Sequence, residues 1–62
     1  MKKILIIEDE LPVRMGIKDL LEIKNYKVFD TRSGKEGLKI AEEELPDLII
    51  CDIKMPEMDG YS

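Results

Sequence analysis

Lys3 to Glu10 reads KILIIEDE. Four apolar residues, Ile4 to Ile7, run without interruption into three acids. A strand with one wet face alternates apolar and polar residues, and this one does not. A short unbroken run rich in β-branched residues is a strand covered on both faces, as in a parallel sheet. Parallel strands need crossover connections, so the segments on either side of such a strand should be helical.

The next segment, ELPVRMGIKDLLEIKN (residues 10–25), meets that expectation. Val13, Ile17, Leu20 and Leu21 fall on one stripe at helical spacing, with Lys24 at its end. Pro12 suits a first helical turn, where no N–H partner is needed. Asp9 or Glu10 lies near the positive end of that helix. Asn25 is a natural stop, since asparagine tolerates the left-handed conformation. YKVFDT (26–31) alternates Tyr26, Val28 and Asp30 against Lys27, Phe29 and Thr31. It reads as a second strand, more exposed than the first.

SGKEGLKIAEEEL (33–45) opens with Ser33 and has Glu36 three residues on, the spacing of a capping box. Leu38, Ala41 and Leu45 form its apolar face, and Glu42 to Glu44 belong mostly in solvent. Gly37 is a poor helix former, and close packing against a strand explains it best. Pro46 ends the helix. DLIICDI (47–53) is a third apolar strand, expected to be buried, with Cys51 as a small core residue.

The order is therefore β-α-β-α-β, an α/β fold with a three-stranded parallel sheet. The first strand is the most purely apolar and should lie in the middle, giving the order 2-1-3. Right-handed crossovers then place the two helices on opposite faces.

The chain has 62 residues, one cysteine, no histidine and a net charge of −4. One cysteine forms no internal disulfide, and the residue set offers no zinc site. An acidic chain does not suit phosphate neutralisation, so no direct nucleic-acid partner is expected. No apolar run approaches the length of a membrane span. The apolar part of MKKILIIEDE is too short for a signal sequence. The simplest location is cytoplasmic, with no membrane partner.

In open parallel sheets, ligands bind beyond the carboxyl ends of the strands, where the strand order reverses. Here that point lies between strands one and three. Glu8 and Asp9 end the first, and Asp52 ends the third. Three ionised carboxylates at one rim repel each other unless a cation joins them. An all-oxygen set suits Mg²⁺ or Mn²⁺. A carboxylate beside such a metal can attack phosphorus and form an acyl phosphate. The same acids also serve as helix caps and turn residues, and from spacing alone both readings stand.

KILIIEDE together with DLIICDIKMPEMDG (47–60) resembles the receiver domain of bacterial two-component response regulators. NYKV and SGKEGLKIAEEELPDLI fit the same pattern, so the resemblance covers the whole chain. It implies a flavodoxin-like fold of which these residues are the βαβαβ half, a single truncated receiver domain over 1–62. It implies that Asp52 accepts a phosphoryl group from a sensor histidine kinase. It implies Mg²⁺ held by Glu8, Asp9, Asp52 and the backbone carbonyl of Lys54, with Met55, Pro56 and Gly60 shaping the loop. Glu8 stands where many relatives carry aspartate.

The family's hydroxyl residue and lysine follow strands four and five, which are not among these residues. Such a receiver catalyses its own phosphorylation and dephosphorylation only as an intact parent, joined to an output domain, and is not otherwise an enzyme. As a 62-residue fragment it is expected to bind Mg²⁺ weakly or not at all and to accept phosphate poorly. Its bare third-strand edge invites pairing with a second copy, a homodimer. The alternative is a self-associating half-domain scaffold without phosphotransfer. Met55 and Met58 read as loop cover, and Tyr61 as the start of a third helix.

Overall fold

A computed structural model describes residues 1–52. Its elements run β1 (Lys3–Glu8), α1 (Leu11–Ile23), β2 (Lys27–Thr31), α2 (Gly34–Glu44) and β3 (Leu48–Asp52). The strands form one sheet in the order β2-β1-β3, with both pairings parallel. The α/β fold expected from the sequence is thus present, with the apolar run of β1 at its centre. Met55, Pro56, Met58, Gly60 and Tyr61 lie outside the described residues.

Side-chain alternation shows which helix covers which face. Gly37 of α2 lies against Ile7 and Thr31, and the Lys3 ammonium reaches the Glu44 carboxylate of α2 at 3.5 Å. Lys3, Leu5 and Ile7 therefore face α2. Ile4, Ile6 and Glu8 point the other way, toward α1, whose Arg14 bonds Asp30, the register neighbour of Ile6. Residues Ile4 to Glu8 are all buried, and Leu5 and Ile6 are fully so. Each of those two side chains contributes roughly 1.5–3 kcal/mol by leaving water.

Among the described residues both helices contact β1 and β2, and neither contacts β3. This corrects three expectations. Only the Ile17 and Leu21 line of the α1 stripe is half-buried, while Val13 and Leu20 are exposed, Leu20 at 63%. In α2 the inner residues are Gly37, Ile40 and Ala41, whereas Leu38 and Leu45 are exposed. The glycine sets this rotation, because its missing Cβ lets the helix seat on Ile7. In β3, Leu48 and Ile49 are exposed and Cys51 is exposed rather than a core residue. Among the described residues, β3 has one sheet neighbour and no helix over either face.

The helix ends follow local chemistry. Ser33 caps α2 by accepting the Glu36 N–H at 3.3 Å. The reciprocal half of the capping box is diverted: the Glu36 carboxylate accepts from the Thr31 hydroxyl at 2.9 Å, and that hydroxyl accepts the Ser33 N–H. Asn25 follows α1 with φ 70°, the left-handed conformation expected of it. Leu45 closes α2 in the same region at φ 51°, which costs a side chain with a Cβ about 1–2 kcal/mol.

Candidate functional site

The sheet register brings the candidate acids together. In the parallel pairing of β1 with β3, Glu8 stands opposite Asp52 at the carboxyl ends of both strands. Neighbouring strands lie about 4.7–4.9 Å apart. Asp9 follows Glu8 directly and is exposed at the rim. The backbone thus carries three acids from distant sequence positions to the point where the strand order reverses. The Asp52 side chain and all of Lys54 lie outside the described part of the molecule. Among the described side chains, no three metal-binding residues are gathered.

Glu8 is the unusual member. It is only 2% exposed, although glutamate is among the residues least often buried. One carboxylate oxygen, Oε2, accepts the Glu10 N–H at 3.0 Å. The other, Oε1, is buried and has no hydrogen-bond partner among the described residues. A carboxylate oxygen withdrawn from water without a hydrogen bond is costly. A divalent cation would satisfy it. The candidate ligands at this rim are oxygen donors, the kind that Mg²⁺ takes. The residues present therefore fit such a metal.

A second layer of charge supports the acids. The Arg14 guanidinium donates from Nη1 to the Glu8 backbone carbonyl at 2.9 Å and from Nε to the Asp30 carboxylate at 3.1 Å. The two side chains are 14% and 24% exposed, so the pair is shielded rather than a loose surface contact. Sequence reading missed both residues. The available signal was a cation in the first turn of α1, where the helix dipole disfavours positive charge.

The profile of the family described as "Response regulator receiver domain" matches residues 4–62. The chain is 45% identical over 60 residues to the polar-differentiation response regulator DivK of Brucella ovis. That alignment covers 95% of this chain and 48% of the relative. The probable transcriptional regulator ycf27 of Porphyridium aerugineum is 40% identical over 60 residues, covering 97% of this chain and 25% of the relative. Histidine kinase P4 of Formosa agariphila is 49% identical over 57 residues, covering 92% of this chain and 4% of the relative. The chain thus spans about half the length of one of these relatives and a quarter or less of the others.

Proposed function

The chain belongs to the response regulator receiver family, and from that premise we propose that it carries the phosphoacceptor of a two-component signalling protein. Asp52 is the acceptor. One of its carboxylate oxygens attacks the phosphorus of the donor, the bond from phosphorus to the leaving group breaks, and an acyl phosphate forms. The leaving group departs with the bonding electron pair and takes a proton from solvent. The donor is the phosphohistidine of a sensor kinase, and an output domain reads the product.

Glu8, Asp9, Asp52 and the Lys54 backbone carbonyl hold Mg²⁺ in this reading. When bound, the metal offsets negative charge on the transferring phosphoryl group. The rest belongs to the chain. Burial of Glu8 keeps its carboxylate fixed, and the register holds Asp52 beside it. The observation that carries the proposal is this register, Glu8 against Asp52, with the buried Oε1 lacking a hydrogen-bond partner among the described residues.

Transfer by these 62 residues alone is slow. The hydroxyl and lysine that the family places after its fourth and fifth strands supply part of the electrostatic stabilisation, and they lie outside them. Residues 1–62 by themselves also pair with a second copy along β3, which has one sheet neighbour among the described residues and carries exposed Leu48 and Ile49.

Incubation with acetyl phosphate and Mg²⁺ tests the acceptor. The expected product is a weak, metal-dependent acyl phosphate that Asp52→Asn removes. Label that persists in Asp52→Asn overturns the assignment.

A further inference from the structure

We propose that Arg14 is the positioning residue of the acidic pair, setting the direction in which Asp9 leaves β1. The proposal rests on the metal-binding reading of Glu8 and Asp9.

Arg14 brackets Asp9 from both sides. Its guanidinium holds the Glu8 carbonyl at 2.9 Å, and its backbone N–H holds the Glu10 carbonyl at 2.9 Å. The Glu8 carboxylate closes the same turn by accepting the Glu10 N–H at 3.0 Å. A peptide group is planar, so fixing the Glu8 carbonyl also fixes the Asp9 N–H and the plane from which the Asp9 Cα departs. Three hydrogen bonds thus span a single exposed acid: the Arg14 backbone makes the one common to any helix, and its side chain makes the one that an arginine alone supplies here.

The position is otherwise unfavourable for an arginine. It lies in the first turn of α1, where the helix dipole repels a cation. It also stands near residues that would hold a divalent cation. Asp30, on the neighbouring strand β2, neutralises it through Nε. That leaves Nη1 to act on the carbonyl while the Arg14–Asp30 pair adds little net charge near the rim. Lysine cannot reproduce this, because one ammonium does not present two donors in a fixed fork.

The sign of the effect separates positioning from simple charge. If Arg14 were only a nearby cation, its removal would strengthen binding of a second cation. If it positions Asp9, removal weakens binding, by about tenfold or more as for other residues that orient metal ligands. The experiment is a Mg²⁺ titration of the 62-residue chain and its variants, followed by the amide shifts of Asp9 and Glu10. Arg14→Met and Arg14→Lys should both lose about tenfold in affinity. Leu5→Val, which loosens the core away from the rim, should bind as the wild type does, so that lowered stability alone is not mistaken for the effect. In Mg²⁺-free protein the Asp9 amide should move in Arg14→Met and stay in Leu5→Val. Equal or tighter binding by Arg14→Met overturns the proposal for Arg14 alone, as does an equal loss in Leu5→Val. A wild type without Mg²⁺-dependent shifts shows that these 62 residues form no metal site by themselves, and overturns this proposal for them.

Discussion

The two helical glycines should respond to alanine with opposite signs. Gly16 lies in the middle of α1, and a Cβ built there meets nothing within 4 Å. Gly37 lies in α2, and a Cβ there would fall 2.7 Å from Cγ1 of Ile7 and closer still to Cδ1, with Cγ2 of Thr31 at 3.5 Å. Alanine is favoured over glycine in a helix interior by about 1 kcal/mol at either site. At Gly16 that gain is realised in full. At Gly37 it is opposed by overpacking, since the side chain of buried Ile7 must shift to admit a Cβ. Overpacking of this kind costs about 1–3 kcal/mol. The propensity term is common to both variants, so their difference isolates the steric one, again about 1–3 kcal/mol. Urea unfolding followed by far-UV circular dichroism measures it, at matched protein concentration. Adding Ile7→Val removes the Cδ1 atom, so the pair Ile7→Val with Gly37→Ala should be less destabilised than the two single changes together imply. A Gly37→Ala protein stabilised as much as Gly16→Ala would show that α2 does not seat on Ile7, and would refute the account of its rotation.

Two further outcomes follow from the same structure. Leu45→Gly should raise stability by about 1 kcal/mol, because it relieves a left-handed Cβ at φ 51°. Leu45 is 77% exposed, so little packing is lost, and a fall in the urea midpoint would refute the strain. Sedimentation of residues 1–62 should show a dimer at micromolar concentration, reduced to monomer by Ile49→Lys on β3. A folded wild-type monomer at that concentration would remove the pairing.

The candidate site is unevenly legible in the sequence, for a physical reason. Glu8, Asp9 and Asp52 were legible because acids following apolar runs mark strand ends, and a parallel sheet sends those ends to one rim. The depth of Glu8 was not legible. Burial of a carboxylate depends on what crosses over it, and a strand pattern does not record that. Arg14 and Asp30 are 16 positions apart and join only because α1 lies over β1 and β2. An arginine with one dipole against it is a weak sign until its partners are visible.

Some features follow from local chemistry and were settled by sequence alone. An unbroken Ile4–Ile7 run has two faces to bury, so β1 had to be central. Ser33, Asn25 and Pro46 act on their own neighbouring peptide groups, so the helix ends could be read residue by residue. Which side of each helix turns inward was decided only by tertiary structure. Leu38 and Leu45 are apolar at the right spacing, but the close approach allowed by Gly37 puts Gly37, Ile40 and Ala41 inward instead. Apolar character makes a residue available for burial, while the placement of the neighbouring element decides whether it is buried. The same holds for β3. Its composition is that of a core strand, and its exposure among the described residues reflects the absence of any helix upon it.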